Sequence, residues 1–346
     1  MMKALVKTAK GPGFIEIQER AIPKIPFEDW VLIKVKAAGV CGTDLHIWHD
    51  QYQYWPPVIL GHEFSGEIVE LGKKVEGWRI GDRVAAEPHS KACGKCELCR
   101  TGRIQLCKDK RSPGWGIDGA FAEYVTMPAF LLHHIPEGVN WEMAAIAEPM
   151  AIAIHQVLER CRVDFQDCVV VSGAGPIGIL SAFLAKRAGA ATVIATGITR
   201  SEEVRLPVAK KLGADYCINV EKTDLVKTVM DITGGRGADV VIEASGNPRA
   251  IATSFDLLRT GGRISAIGIS GKSEIPIPWD KAIMNVYDIY FNMSSSFSSW
   301  LKAMSILGSC HDILTDYVTT VVEIENWKQT FERLEEELEI KALFKF

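Results

Sequence analysis

Residues Cys168–Ala185 read CVVVSGAGPIGILSAFLA, and this stretch decides the fold. Its start, Cys168–Val171, predicts a buried strand, and Pro176–Ala188 predicts a helix. The whole apolar stretch has the length of a membrane span. The Gly/Pro cluster between the two parts interrupts it, so a strand, a tight turn and a helix are the better interpretation.

The turn carries the spacing G-x-G-x-x-G. Gly173 suits the tight turn, Gly175 lets the backbone approach a pyrophosphate, and Gly178 allows close packing of helix on strand. The helix that opens with Pro176 and Ile177 offers unpaired N–H groups to phosphate. We therefore predict dinucleotide binding here; a purely structural turn in another doubly wound domain is the alternative.

Strands and helices alternate beyond the turn, which predicts an α/β Rossmann fold with a doubly wound parallel sheet. The predicted strands are Thr192–Thr196, Asp239–Ile242 and Arg263–Ile267, and the predicted helices are Ser201–Leu212, Asp224–Thr233 and Arg249–Leu258. Short β-type runs dominate before this region, and a mixed pattern ending in a helix at Trp327–Leu338 follows it. The predicted domains are a dinucleotide-binding domain at 153–289 and a catalytic zinc-binding domain at 1–152 and 290–346.

The end of the second Rossmann strand usually decides between NAD and NADP. Gly197 stands where an acid is expected to bind the ribose 2′-hydroxyl. Thr199 and Arg200 could accept a 2′-phosphate, so NADP is favoured over NAD. In the alternative, Arg200 is solvated and Glu202 or Glu203 reaches back to the ribose.

Four cysteines lie within one short stretch, with the spacing C-x2-C-x2-C-x7-C: Cys93, Cys96, Cys99 and Cys107. Four thiolates suit a closed, structural zinc site. An iron–sulfur motif would continue with x3-C-P, which is absent. A nucleic-acid finger is the second alternative, because seven Lys or Arg lie between Lys91 and Arg111, but no recognition helix follows. Four unrelated reduced cysteines are the third.

Net charge, the first residues and the cysteine count indicate which binding partners and which compartment to expect. The net charge of -4 gives no reason to expect nucleic acid or an anionic membrane. The first residues have no apolar run typical of a signal peptide. Nine cysteines, four of them clustered, favour metal binding in a reducing cytoplasm over disulfides.

Two further motifs provide the ligand types of an open catalytic zinc: Cys41 in CGTDLH (41–46) and His62 in Gly61-His62-Glu63. With AEPMAIAIH (147–155), they resemble the zinc-dependent medium-chain dehydrogenases, sorbitol and polyol branch, over essentially the full chain. The resemblance implies a β-rich GroES-like domain beside the Rossmann domain. It also implies two zinc ions, one structural and one held by Cys41, His62 and one or both of Glu63 and Glu148.

The resemblance implies hydride transfer between an alcohol and a nicotinamide. It assigns a hydroxyl relay to Thr43 and an outer base to His46. Asp44 is expected to orient the ligand histidine. The structural alternatives are loop capping for Thr43 and Asp44 and a satisfied surface histidine for His46. The resemblance also implies a homodimer or homotetramer. Four more residues are expected at the cofactor: Ser245, Ile267, Ser294 and Ser295.

The substrate is predicted from weaker features. Four aromatic residues between the first two ligands suit a sugar-like molecule or loop packing equally: Trp48, Tyr52, Tyr54 and Trp55. Residues 41–47 and His89 resemble threonine 3-dehydrogenases, whereas Glu148-Pro149-Met150-Ala151 lacks their D-P-x-G-N pattern. We predict a secondary alcohol of a polyol, sugar acid or related sugar metabolite as substrate, with a threonine 3-dehydrogenase as the alternative. The intact ligands argue against a cofactor-binding protein without catalysis.

Overall fold

The computed structural model describes all residues, Met1–Phe346, in two compact units. Unit 1 comprises Met1–Ala151, Ser295–Glu335 and Lys341–Phe346; unit 2 comprises Ile152–Ser294 and Glu336–Ile340. The structural boundaries differ from the predicted ones at three places. Ile152, predicted in the catalytic domain, belongs to unit 2. The chain returns to unit 1 at Ser295 rather than at 290, and the short segment 336–340 belongs to unit 2.

Sixteen strands form three sheets. They are Met2–Lys7 (β1), Ile15–Arg20 (β2), Trp30–Gly39 (β3), Val58–Ile59 (β4), Glu63–Leu71 (β5), Arg83–Ala86 (β6), Tyr124–Pro128 (β7), Leu132–His134 (β8), Cys168–Ser172 (β9), Thr192–Gly197 (β10), Tyr216–Asn219 (β11), Ala238–Glu243 (β12), Leu258–Ala266 (β13), Asp288–Phe291 (β14), Val318–Glu323 (β15) and Lys341–Lys345 (β16).

Eleven α-helices accompany them. They are Gly42–Trp48 (α1), Glu97–Arg100 (α2), Trp141–Ala145 (α3), Ala147–Ile154 (α4), Pro176–Arg187 (α5), Arg205–Lys211 (α6), Leu225–Ile232 (α7), Pro248–Leu257 (α8), Trp279–Met284 (α9), Phe297–Cys310 (α10) and Trp327–Glu335 (α11). Short 3-10 turns and a π-helical turn, His155–Arg160, complete the elements.

Unit 2 is built on a six-stranded parallel sheet in the order β11-β10-β9-β12-β13-β14. Counted within the unit, this is the order 3-2-1-4-5-6 of a Rossmann fold. The strand order reverses between β9 and β12, and ligands of such sheets bind beyond the carboxyl ends of the strands at this point. The glycine-rich turn after β9 therefore lies where a dinucleotide is expected.

Unit 1 is predominantly antiparallel. A seven-stranded sheet has the order β15-β16-β3-β5-β6-β8, with β7 paired to β3, and a smaller sheet has the order β2-β1-β4. Only β15 and β16 run parallel in the larger sheet. Its core includes Phe121 and Phe344, whose rings meet edge to face at 5.0 Å. The register of β3, β5 and β16 brings Gly39, Glu63 and Leu343 side by side, and Glu63 is one of the predicted zinc ligands.

The predicted helices and strands are present in the structure, with differences in length and number. The helix predicted at Ser201–Leu212 is shorter, α6, because Pro207 has no N–H to donate to the carbonyl of Glu203. The helix predicted at Trp327–Leu338 ends at Glu335. Two edge strands, β11 and β14, were not predicted, since each has only four residues. No helix has the combination of length and apolar character needed to cross a bilayer.

Candidate active site

Three predicted zinc ligands converge in unit 1. The Cys41 sulfur, a nitrogen of His62 and a carboxylate oxygen of Glu63 lie within 4.8 Å of one another. Cys41 caps the start of α1, and His62 lies directly before Glu63, the first residue of β5. A thiolate, an imidazole and a carboxylate at such distances fit a catalytic zinc, which takes three protein ligands and keeps one open position.

The charges of this cluster also fit a divalent cation. Burial opposes protonation of His62, yet the charges of Cys41, Asp44 and Glu148 outweigh it and raise the pKa of His62 to about 10. Burial raises the pKa of Glu148 to about 7. Several potential anions therefore share a site with little water to solvate them, and a bound Zn²⁺ would compensate them.

Lys341 is the cation that this chain itself provides, and the sequence analysis did not identify it. Its Nζ donates to both oxygens of Glu63, at 2.7 and 3.0 Å, and to the carbonyl of Val40 at 2.9 Å. Burial lowers the pKa of Lys341, but the charges of Glu63, Cys41 and Glu148 outweigh burial and raise it. Glu63 is thus both a candidate ligand and half of a buried ion pair.

Glu148 lies near the cluster without joining its compact set. It lies in the first turn of α4 and is buried, and its charge acts on both His62 and Lys110. Its oxygens are not among the ligand atoms within 4.8 Å of one another. Since Lys341 occupies both oxygens of Glu63 while Glu148 makes no ion pair, Glu148 remains a candidate for the carboxylate ligand.

Asp44 and Thr43 surround Cys41 as the motif predicts, but Asp44 acts mainly on the backbone. Its carboxylate accepts the N–H of Cys41 at 2.9 Å and that of Gly61 at 3.4 Å, which fixes both ligand-bearing loops. His62 Nδ1 is 3.9 Å from Asp44 Oδ1, beyond hydrogen-bond distance. The Thr43 hydroxyl is 3.7 Å from the Cys41 sulfur, and His46 is exposed further along α1.

The four aromatic residues between the first two ligands, Trp48 at the end of α1 and three in the loop after it, separate into two groups. Trp48 packs on Phe331, and Tyr54 is buried with its hydroxyl donating to Asp50, so both serve the fold. Tyr52 and Trp55 both pack against Trp115. Burial and the Cys41 charge raise the pKa of Tyr52, which places this phenol within electrostatic reach of the zinc ligands.

Tyr317 is a second residue of this site that sequence analysis missed. Its side chain is fully buried, and its hydroxyl has no hydrogen-bond partner in the protein. Burial and the charges of Glu63, Cys41 and Glu148 raise its pKa well above the ordinary value. A tyrosine ending a 3-10 turn, Thr315–Tyr317, gives no sequence signal for such a position.

The four-cysteine lobe folds as a second ligand set. All four sulfurs lie within 4.8 Å of one another. Cys93 and Cys99 are 3.9 Å apart at sulfur, near the edge of about 3.8 Å expected for a tetrahedron with zinc–sulfur bonds of about 2.3 Å. The backbone N–H groups of Cys93, Cys96 and Cys99 each donate to a cysteine sulfur of the set at 3.4–3.5 Å. The residues thus fit a closed structural zinc.

Cys99→Ser is expected to remove one zinc per chain and lower the Tm by about 10 °C or more, since a structural zinc contributes its binding free energy to folding. Zinc analysis and calorimetry measure both effects. Cys217→Ser provides the control, because Cys217 is half-buried, lies in unit 2 and is in neither ligand set. Unchanged zinc content and Tm in Cys99→Ser would contradict the structural assignment.

The glycine-rich turn of unit 2 has the shape that a dinucleotide requires. A Cβ on Gly178 would lie 1.9 Å from the Gly173 carbonyl oxygen, so only glycine permits this packing of α5 on the turn. A Cβ on Gly175 would meet no protein atom within 4 Å. Gly175 therefore faces open space at the start of α5, where Pro176 is the first helical residue.

The other four residues predicted at the cofactor lie in different surroundings. Ser245 packs against Gly173 and donates to Glu243, and Ile267 follows β13, whose carboxyl end lies at the same edge of the sheet. Ser294 has a positive φ of 63° at the end of unit 2. Ser295 is fully buried in unit 1, and its hydroxyl accepts a hydrogen bond from Trp300 Nε1 at 3.0 Å.

Two family models match the chain. Residues 28–137 match the alcohol dehydrogenase GroES-like domain, and residues 176–309 match the zinc-binding dehydrogenase. A sorbitol dehydrogenase of Halalkalibacterium halodurans is 40% identical over 342 residues, 99% of this chain and 98% of that protein. The chain belongs to the zinc-dependent medium-chain dehydrogenases. The predicted family, its Rossmann and GroES-like fold and its oxidoreductase activity are thereby confirmed.

Two further similarities bear on cofactor and substrate. An L-threonine 3-dehydrogenase of Colwellia psychrerythraea is 35% identical to this dehydrogenase over 342 residues, 96% of each chain. The solved structure of a zinc-binding dehydrogenase of Sinorhizobium meliloti, bound to NADP, has a TM-score of 0.91 at 29% identity and covers 100% of this chain and 99% of its own. Zinc and a nicotinamide dinucleotide are the cofactors of this dehydrogenase.

Proposed function

We propose that this dehydrogenase interconverts a secondary alcohol and a ketone on a polyol, sugar acid or related sugar metabolite. The observation that carries the proposal is the convergence of Cys41, His62 and Glu63 within 4.8 Å. The sorbitol dehydrogenase relative and the Glu-Pro-Met-Ala segment at Glu148 favour the polyol branch.

In this reaction, different residues of the chain bind the zinc, move the proton and contact the substrate. A zinc ion held by Cys41, His62 and a carboxylate from Glu63 or Glu148 supplies Lewis acidity at the substrate hydroxyl. Thr43 lies beside Cys41 and can pass the hydroxyl proton outward, and His46, exposed on the same helix, can release it to water. Tyr52 is the loop aromatic best placed to contact a sugar-like substrate.

Threonine 3-dehydrogenase activity is the second candidate. The threonine 3-dehydrogenase relative favours it, as do the residues at 41–47 and the buried His89. This activity also oxidises a secondary alcohol, so the same zinc site would serve both reactions. The two candidate activities differ in the substrate, which is an amino acid in one and a compound with several hydroxyl groups in the other.

A dehydrogenase assay at 340 nm tests the proposal, with NAD⁺ and NADP⁺ in parallel. The panel contains polyols, polyol phosphates, sugar acids and L-threonine, each run with and without a zinc chelator. Chelator-sensitive turnover of a polyol or sugar acid is the expected result. Turnover of threonine alone would overturn the sugar assignment and establish the second candidate.

The sequence favours NADP over NAD because Gly197 replaces an acid and Arg200 lies nearby. This preference considers only residues next to the end of β10. A carboxylate supplied by a distant segment of the chain would change this preference.

We also propose a cytoplasmic homodimer or homotetramer that binds neither nucleic acid nor membrane. None of the nine cysteines forms a disulfide, and two sites that bind zinc through thiolates need a reducing compartment. Exposed apolar side chains on α9 and on the edge strand β14 support self-association, among them Trp279, Met284 and Phe291. Light scattering in solution measures the oligomeric state.

A further inference from the structure

The carboxyl end of β10 has no room for the acid that usually reads the ribose. A Cβ on Gly197 would lie 2.8 Å from Ser201 Cβ and 3.0 Å from Ser201 Oγ. The end of β10 nevertheless adjoins the dinucleotide turn, since the Gly173 N–H donates to Thr196 Oγ1 at 3.2 Å. An acid needed here must therefore come from another part of the chain.

Glu337 places a carboxylate beside this position. Ser201, the residue that leaves no room for a side chain at position 197, donates its hydroxyl to Glu337 Oε2 at 2.8 Å. Arg205 Nη1 is 3.1 Å from the same oxygen, so the carboxylate is fixed by two contacts. Both contacts use Oε2, which leaves Oε1 for a ligand, and 22% of the Glu337 side chain is exposed.

The backbone at Glu337 also indicates a constrained position. Its φ is +60°, a left-handed conformation that residues other than glycine, asparagine and aspartate rarely adopt. Such strain persists where the surroundings impose it, and it is concentrated at ligand sites. The segment Glu336–Ile340 belongs to unit 2, although the chain on both sides of it belongs to unit 1.

Two other acids near the end of β10, Glu202 and Glu221, bind different partners. Glu202 accepts Asn219 Nδ2 at 2.9 Å and Lys222 Nζ at 2.6 Å through its two oxygens. Glu221 is exposed and accepts the Thr199 N–H at 2.9 Å.

We propose that Glu337 is a specificity-determining residue that selects NAD(H) over NADP(H). Its free oxygen accepts the ribose 2′-hydroxyl of NAD(H), replacing the acid absent at position 197. Its charge repels a 2′-phosphate, and its pairing with Arg205 keeps that guanidinium from binding one. The inference rests on the dinucleotide site of the proposed function, and it reverses the sequence preference for NADP.

Direct binding tests this role without relying on turnover. Fluorescence titrations give the Kd values of NADH and NADPH for the wild type, Glu337→Gln and Glu221→Gln. The wild type is expected to bind NADH more tightly. Glu337→Gln is expected to lower the ratio of the NADPH Kd to the NADH Kd about tenfold, because it removes both the repulsion of the 2′-phosphate and the ion pair between Glu337 and Arg205. Glu221→Gln, the same chemical change at an exposed acid nearby, is expected to leave the ratio within about twofold.

Two results would overturn the inference: tighter NADPH binding by the wild type, or an unchanged ratio in a Glu337→Gln variant whose circular dichroism is native. Should Glu337→Gln fail to fold, Glu337→Asp gives the second test. It keeps the charge but withdraws the carboxylate by one methylene, so it should weaken NADH binding without improving NADPH binding. If the wild type binds neither dinucleotide, the dinucleotide site of the proposed function is itself wrong, which is a distinct failure.

Discussion

Cys41→Ser is expected to lower kcat/KM by about a thousandfold or more, because the variant loses the thiolate that binds zinc and with it several kcal/mol of charge stabilisation. Cys41 is one of only three residues whose ligand atoms converge within 4.8 Å at this site. Zinc content is expected to fall from two ions per chain to one. Dinucleotide binding should persist, since the glycine-rich turn belongs to unit 2.

Steady-state kinetics, zinc analysis and a dinucleotide titration together measure this outcome. Cys217→Ser is the matched control, because Cys217 lies on β11 and its thiol donates to the Leu206 carbonyl. It should retain both zinc ions and full activity. A Cys41→Ser enzyme with two zinc ions and unchanged turnover would show that the catalytic site lies elsewhere.

The parts of the fold predicted from sequence are those specified by neighbouring residues. The spacing of Gly173, Gly175 and Gly178 is a local requirement of one turn, and the structure shows why each position must be glycine or open. The short edge strands β11 and β14 lacked a pattern long enough to recognise. Their pairing depends on the neighbouring strands rather than on their own sequence.

The residues of the candidate site also divide into those that lie in local motifs and those that distant strand pairing places there. Cys41, His62 and the four-cysteine lobe lie in compact motifs, so the sequence predicted them. Lys341 and Glu337 lie in the charged run ERLEEELEIK (332–341), where lysine and glutamate usually face solvent. Only the pairing of β16 with β3 and the placement of 336–340 in unit 2 bring them to their sites. Long-range register of this kind cannot be read from a single sequence.

Lys341→Met is expected to destabilise the protein by about 3–5 kcal/mol, because it leaves the Glu63 carboxylate buried without its partner. Lys341 is 1% exposed and donates to both oxygens of Glu63. Denaturant unfolding measures the loss. Lys345→Met is the matched control, since Lys345 lies on the same strand but forms an exposed ion pair with Glu323; it should unfold like the wild type.

The double variant Lys341→Met, Glu63→Gln then decides which carboxylate binds the catalytic zinc. If the main partner of Glu63 is Lys341, removing both charges should recover most of the lost stability, because neither is left buried alone. Zinc content should then stay at two ions, with Glu148 as the ligand. If Glu63 is instead the zinc ligand, the double variant should lose the catalytic zinc even where its stability recovers. Stability that does not recover, with two zinc ions still bound, would show that Lys341 acts through a contact other than Glu63, such as the Val40 carbonyl.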